Sequence, residues 1–161
     1  MNFLRLRSAG IILLVIVLDR ISKLYIRAHI SRWDMIPVIP NFFYIVHYEN
    51  QGAAFSVLSD APRFWRLFLL VGVSLLVMSV IGVMLLRMPT RLGGLTATSL
   101  AMVFGGAVGN VWDRIFSGTV TDFIDAFIGS YEFPAFNIAD SAITIGAALM
   151  VIDLWRSRKR A

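Results

Sequence analysis

The sequence predicts an all-α membrane protein with four transmembrane helices, a small extracytoplasmic β-sheet and segments that lie on the membrane surface. Hydrophobic residues make up 58% of the 161 positions and charged residues only 16%, whereas charged residues supply about 25% of a typical soluble domain. The apolar residues fall into four runs, each close to the ~20 residues that cross a bilayer as a helix. A chain of this length accommodates a single integral membrane domain, residues 1–161.

The first span is expected at about residues 8–26. Arg5 and Arg7 precede its apolar run, as basic residues do in a cleavable signal peptide. No small-residue cleavage site follows, and Asp19 and Arg20 come instead. We therefore interpret the segment as a retained helix.

The other spans are expected at about residues 67–86, 92–112 and 138–155. The second of the four contains no charged residue. The third carries Gly105 and Gly109 one helical turn apart, a spacing that allows another helix to approach closely.

Basic residues beside the spans predict the orientation, because Lys and Arg are enriched in cytoplasmic loops. With four spans, the N-terminus, the loop between the second and third spans and the C-terminal tail share one side. We expect that side, with both termini, to be cytoplasmic, and the connections at about 27–66 and 113–137 to face outward. The basic residues concerned are Arg5, Arg7, Arg87, Arg91, Arg156, Arg158, Lys159 and Arg160.

The outer connections predict the sheet and the surface segments. Aromatic and β-branched residues dominate residues 41–50, which predicts a strand, and a second strand is expected through 53–58. Pro62 and Trp65 suit a helix start at the level of the lipid headgroups. Aromatic residues around Pro134 predict a further surface-lying segment.

Two carboxylates are expected together at the outer boundary of the membrane. Asp122 lies in the second outer connection, and Asp140 lies in the first turn of the fourth span, where Asn137 suits the N-cap. A charged side chain at the centre of a membrane helix costs roughly 2.5–3.5 kcal/mol on insertion scales, so such residues are functional candidates. Two adjacent carboxyls share one proton and can hydrolyse a peptide bond by general acid–base catalysis.

Other chemistries lack suitable residues. The chain has no Cys and no Gly-x-Ser-x-Gly segment, and His29 and His47 show no metal-ligand spacing, so we predict neither a metal nor a cofactor. The net charge of +5 is concentrated at helix ends, so no nucleic-acid partner is expected. Residue types alone leave two alternative carboxylates: Asp113, as an ion-pair partner of Arg114, and Asp125, which we expect in solvent.

Five short segments form an ordered pattern along the chain. They are Asp19-Arg20-Ile21-Ser22-Lys23, Asn50-Gln51-Gly52-Ala53-Ala54-Phe55-Ser56, Gly109-Asn110-Val111-Trp112-Asp113-Arg114, Thr119-Val120-Thr121-Asp122-Phe123 and Phe136-Asn137-Ile138-Ala139-Asp140. This pattern resembles the signal peptidase II family, the lipoprotein signal peptidases of bacteria, which are aspartic proteases embedded in the inner membrane. The resemblance implies that Asp122 and Asp140 are the catalytic pair. It also implies a prolipoprotein substrate that bears diacylglycerol on a Cys and is cut just before that Cys.

The same resemblance implies that further motif residues bind the substrate or support the site. Structural alternatives remain open for several of them. Asp19 and Lys23 can neutralise each other at positions i and i+4, Asn side chains can cap turns and helices, and Gly52 can serve a close backbone approach. The residues in question are Asp19, Lys23, Asn50, Gly52, Asn110, Asp113, Arg114 and Asn137.

The leading hypothesis is an intramembrane aspartyl endopeptidase that acts as a monomer surrounded by membrane lipids. A proton-coupled transporter that uses intramembrane carboxylates is the main alternative, and a noncatalytic membrane scaffold is a third. Transporters bind near the bilayer midplane and often contain internal repeats. The carboxylates here gather at one face and the halves of the chain show no repeat, which favours the peptidase.

Overall fold

The computed structural model describes residues 3–52, 62–87 and 94–158. In these ranges the chain forms four helices and one four-stranded antiparallel sheet of order β1-β2-β3-β4. The predicted strand at 53–58 lies outside the described residues. In chain order the elements are α1 (Phe3–His29), β1 (Met35–Ile39), β2 (Phe43–Asn50), α2 (Arg63–Arg87), α3 (Gly94–Phe116), β3 (Val120–Ile128), β4 (Tyr131–Glu132) and α4 (Ile138–Arg158).

Three of the helices, α2, α3 and α4, are long and apolar enough to cross a membrane. Helix α1 is long enough, at 27 residues, but Asp19, Arg20 and Lys23 lie in its C-terminal half. These charges set it apart from the three apolar helices. The prediction of four spans is therefore matched by three candidate spans and one long, more polar helix.

Helix α3 is the central helix of the bundle. Ten of its residues are buried, compared with two in α2. Its glycines contact two different helices: Gly105 lies against Val15 of α1, and Gly106 lies against the carbonyl oxygen of Ala139 in α4. Close packing at these glycines agrees with the small-residue spacing in the sequence.

The end of α3 differs from the sequence prediction. The helix continues to Phe116 instead of ending near Trp112, so Asp113 and Arg114 are helical residues and not the start of a loop. The last turn can continue because neither Gly nor Pro interrupts the chain before Gly118, where the backbone takes a positive φ of 77°.

The sheet also differs in part from the prediction. Strand β2 matches the strand expected at 41–50, but its partners are β1 and β3. Strand β3 occupies a region that the sequence analysis treated as a loop, and it places Asp122 opposite Tyr48 of β2. The aromatic segment that was expected on the surface contributes β4 and a backbone bridge from Phe136 to Ile124 of β3.

A bulge in β3 lies directly after Asp122. The carbonyl oxygen of Phe136 accepts hydrogen bonds from the amides of both Phe123 and Ile124, at 3.0 and 2.9 Å. Two residues of one strand facing one residue of its partner is the pattern of a β-bulge, which re-aims nearby side chains. Strand β3 is thereby fixed between β2 and the segment that leads into α4.

Candidate active site

The first carboxylate of the site, Asp140, belongs to a capping box at the start of α4. The side-chain oxygen of Asn137 accepts the backbone amide of Asp140 at 3.0 Å, and Asp140 Oδ2 accepts the backbone amide of Asn137 at 3.2 Å. These reciprocal bonds satisfy two amides that a helix start leaves without partners. The predicted N-cap is therefore present, and it fixes the position of the Asp140 carboxylate.

The second carboxylate, Asp122, is 3% exposed and is bound by two amide groups. Asn50 Nδ2 donates to Asp122 Oδ2 at 2.9 Å, and Asn137 Nδ2 donates to Asp122 Oδ1 at 2.6 Å. Burial raises the pKa of Asp122 to about 7, and the negative charge of Asp140 adds to the effect. The hydrogen bonds from the two Asn side chains and the charge of Lys23 oppose the rise in pKa.

Asp122 and Asp140 line one cavity of about 1020 Å³. Within the part of the chain that the structure describes, neither carboxylate forms an ion pair with a Lys, Arg or His side chain. The pair is thus bound by neutral amides, and one member has a pKa suited to proton transfer near neutrality. The other lining residues are Tyr48, Glu49, Asn50, Gln51, Gly52, Asn110, Arg114, Val120, Pro134, Ala135, Phe136, Ser141, Ile143, Thr144 and Ile145.

Four of the predicted support residues reach this cavity through α3 and the end of β2. Asn110 Nδ2 donates to Asp140 Oδ1 at 2.7 Å. Arg114 Nη2 donates to the carbonyl oxygen of Gly52 at 3.1 Å, which ties the residues after β2 to α3. The amide of Gly52 in turn donates to the side-chain oxygen of Asn50 at 2.9 Å.

The remaining support residues, Asp19, Lys23 and Asp113, form a buried ionic cluster beside the cavity. All three side chains are fully buried, and Lys23 Nζ lies 2.9 Å from Asp19 Oδ2 and 2.9 Å from Asp113 Oδ2. Arg20 and Arg27 contact Asp113 Oδ1 at 2.5 and 3.2 Å. Asp19 and Lys23 therefore do pair at i and i+4, as the structural alternative proposed. Asp113 is therefore an ion-pair member, as expected, but its partners are these three cations and not the adjacent Arg114.

Asp19 also connects three helices. Its Oδ1 accepts the backbone amide of Ala139 at the start of α4, at 3.0 Å. A Cβ atom placed on Gly109 of α3 would lie 2.5 Å from Asp19 Oδ2. Glycine at position 109 is thus what allows the carboxylate of α1 to lie between α3 and α4.

Asp125 does not lie in solvent, as the sequence analysis expected, but is fully buried. It stands opposite Tyr44 in the register of β2 and β3, and it is absent from the cavity lining. Burial raises its pKa, and the negative charge of Glu132 raises it further. The error arose because the segment was treated as a loop, whereas it is a strand with neighbours on both edges, and five of its nine residues are buried.

Glu49 lines the cavity and was missed by the sequence analysis. It accepts hydrogen bonds from Thr119 and from Thr121, the latter at 3.1 Å, and lies 3.0 Å from the ring of His47. Burial alone would raise the pKa of Glu49, but these bonds and the charge of Arg27 lower it overall. Thr119, Thr121 and Arg27 are distant from Glu49 in sequence, so no local motif indicates this set of contacts.

Comparisons with known proteins agree with the geometry. The sequence model described as Signal peptidase (SPase) II matches residues 11–156. The chain belongs to the signal peptidase II family. Lipoprotein signal peptidases of Solibacter usitatus (strain Ellin6076) and Pseudomonas aeruginosa (strain UCBPP-PA14) are 40% and 42% identical to it. The alignments cover 98% of this chain in both cases, and 96% and 93% of the respective relatives.

A solved structure of a membrane enzyme has a fold similar to that of this chain. A bacterial membrane enzyme determined by the in meso method at 2.3 Å resolution superimposes with a TM-score of 0.85 at 31% identity. The match covers 96% of this chain and 90% of that one. Membership of the signal peptidase II family indicates a membrane-bound protease, and it disfavours the transporter and scaffold alternatives.

Proposed function

We propose that this protein is an intramembrane aspartyl endopeptidase in which Asp122 and Asp140 activate a water molecule. One observation carries the proposal: the buried Asp122 and the partly buried Asp140 line one cavity, are bound by Asn amides, and contact no cation among the described residues. Such a pair can hold a single proton between its members. Nucleophilic catalysis by Cys is excluded because the sequence contains none.

In the proposed reaction the two carboxyls act as acid and base. Asp122 begins protonated, because its pKa of about 7 keeps much of the proton bound at neutral pH. The Asp140 carboxylate takes a proton from water as the water oxygen attacks the scissile carbonyl carbon, and Asp122 gives its proton to the carbonyl oxygen. Collapse of the tetrahedral intermediate returns that proton to Asp122, while the proton on Asp140 passes to the departing amine.

The proposed substrate is a prolipoprotein with diacylglycerol on its Cys, cleaved just before that Cys. The names of the relatives support the class of substrate. The apolar wall formed by Ile143 and Ile145 of α4 suits a lipid-bearing chain. Asn50, Asn110 and Asn137 hold the carboxyls, and Arg114 is proposed to contact the backbone or lipid of the substrate.

The proposed arrangement in the membrane is a monomer with four spans in one domain, residues 1–161, in the bacterial inner membrane. Helix α1 would be the fourth span, with its charged residues turned toward α3 and the sheet. Both termini would be cytoplasmic and the cavity would open at the outer face. Reporter fusions at the C-terminus and near Asp34 test this orientation, and an outward-facing C-terminus would contradict it.

Purified protein in detergent tests the activity. Incubation with a diacylglyceryl-modified prolipoprotein should give the mature lipoprotein and the released signal peptide, and an unlipidated prolipoprotein should remain uncut. Chelators should leave the rate unchanged. Cleavage that needs an added metal ion would contradict the two-carboxyl mechanism.

A further inference from the structure

The orientation of the three Asn side chains around the carboxyl pair has two different origins. An Asn amide must present its NH₂ group to a carboxylate in order to donate, and a rotated amide would present an oxygen instead. Asn50 is held by the amide of Gly52 two residues away, and Asn137 is held by the amide of Asp140 three residues away. Both orientations are therefore set locally.

Asn110 differs because its orientation is set from another helix. Its Oδ1 accepts from Lys23 Nζ at 3.1 Å, across 87 residues of sequence, and from Asn137 Nδ2 at the longer distance of 3.4 Å. An ammonium group has donors and no acceptor, so the Asn110 atom that faces it must be oxygen. The NH₂ group of Asn110 is then turned toward Asp140, to which it donates at 2.7 Å.

We propose that Lys23 is a positioning residue for the hydrolytic reaction, and that it acts by fixing the Asn110 amide so that its NH₂ group donates to Asp140. Lys23 itself does not line the cavity. Its own position is fixed by Asp19 and Asp113, each 2.9 Å from Nζ. The ionic cluster thus fixes Lys23, Lys23 orients Asn110, and Asn110 holds the carboxylate that we assign as the base.

Lys23 is suited to this role because the lysine is fully buried and its three donors have three partners. Two of those partners are charged and one is the neutral Asn110 oxygen. An ammonium ion without partners is costly to bury, so all three contacts resist rearrangement. Without Lys23, the Asn110 amide can rotate and present its oxygen to Asp140.

The inference rests on the proposed function, and the test begins from a background that avoids an unpaired buried charge. Lys23→Met alone would leave Asp19 buried without its cation. Asp19→Asn removes that charge and keeps an oxygen for the amide of Ala139. Asp113 retains Arg20 and Arg27 when Lys23 is lost. The four proteins compared are Asp19→Asn, Asp19→Asn/Lys23→Met, Asp19→Asn/Asn110→Ala and the triple variant.

In the Asp19→Asn background, Lys23→Met should lower kcat by about 10–100-fold, the size of the loss found in metalloenzymes when a residue that orients a metal ligand is removed. KM for the lipid-modified prolipoprotein should change little, because Lys23 does not meet the substrate. When Asn110 is already Ala, the same change should alter kcat by no more than about twofold. Arg20→Met is the matched control, since Arg20 also pairs with Asp113 but has no bond to Asn110; its kcat should remain close to wild type.

Two results would overturn the proposal. One is an equal fall in kcat with and without Asn110, because a purely structural lysine acts regardless of the Asn side chain. The other is an unchanged kcat in the folded Asp19→Asn/Lys23→Met protein.

A second readout needs no activity. The side-chain NH₂ signals of Asn110, identified by their loss in Asn110→Ala, should shift and lose protection from hydrogen exchange when Lys23 becomes Met. Unchanged signals would contradict the proposal. A wild-type chain that cleaves no prolipoprotein would instead contradict the proposed function, and the amide signals would still decide the role of Lys23.

Discussion

The protein contains two carboxylate pairs side by side, and their partners differ. Asp19 and Asp113 contact Lys23 directly, and Asp113 also contacts two arginines. Asp122 and Asp140 are bound by Asn amides and form no ion pair with any described residue. The first pair is held by cations within the helix bundle, and the second faces a cavity.

This difference separates a structural role from a chemical one. The carboxylates of the first pair bind cations and a backbone amide of neighbouring helices, and these contacts join α1 to α3 and α4. A carboxyl that is buried among neutral amides, next to a second carboxyl, can bind a proton near neutral pH and release it again. We therefore propose that catalysis belongs with the pair that forms no ion pair among the described residues, and that the pair in direct contact with cations serves the helix packing.

The largest effect is expected from Asp122→Asn and Asp140→Asn. An amide keeps the shape of the carboxyl but cannot exchange a proton with water, so each change should lower cleavage of the lipid-modified prolipoprotein by about 10²–10⁴-fold. The double variant should be scarcely worse, because the two residues act as one unit. Asp125→Asn is the control, since Asp125 is buried on the same strand but outside the cavity. A large loss from Asp125→Asn with near-normal Asp140→Asn would reverse the assignment.

Breaking the ionic cluster should lower the free energy of unfolding, and a loss of activity should remain after the protein level is restored. Asp19→Ala leaves Lys23 with one fewer counter-ion and Ala139 without its acceptor, and loss of one partner of a buried ion pair costs about 3–5 kcal/mol. Adding Lys23→Ala should restore much of the protein level in the membrane. Activity should stay low, because Asn110 has lost the shorter of its two donor contacts, that from Lys23. Full recovery of activity in the double variant would mean that the cluster serves packing alone.

Gly109→Ala should disturb the packing of Asp19 between α3 and α4. Its Cβ would meet the Asp19 carboxylate, and overpacking of a buried site costs about 1–3 kcal/mol. Gly72→Ala in α2 is the matched control, because a Cβ at that position meets no atom within 4 Å. It should be neutral or stabilise the helix by up to ~1 kcal/mol. Thermal unfolding in detergent measures both, and equal stability of the two variants would contradict this contact.

The smallest effect is a pH dependence from Asp122. Its pKa is raised to about 7 from 3.8, first by burial and then by Asp140. Between these values the folded protein binds the extra proton, so the free energy of unfolding should fall as the pH rises through this range. The proposed acid must be protonated, so kcat/KM should also decline above about pH 7. Asp122→Asn should remove this contribution to the slope of stability against pH.

Local sequence patterns were sufficient to predict several parts of the site. The N-cap at Asn137 and the strand at 41–50 depend on neighbouring residues, and the capping box then fixes Asp140. Motif resemblance supplied Asp122, although its segment was taken for a loop.

What the sequence could not predict depends on contacts between distant segments. The three partners of Asp113 lie on α1, between 86 and 93 residues away, so the nearby Arg114 was the more obvious choice. The burial of Asp125 and the position of Glu49 depend on the register of β2 and β3. No periodicity within either strand specifies that register.

The proton on Asp122 provides the most direct test of the difference between the two carboxylate pairs. Infrared spectroscopy of the wild type minus Asp122→Asn should show a protonated-carboxyl C=O stretch that titrates near pH 7. The band should move to higher pH in Lys23→Met, in the Asp19→Asn background, because the charge of Lys23 lowers the pKa of Asp122. A carboxyl at position 122 that is fully ionised at pH 5 and above would contradict the account.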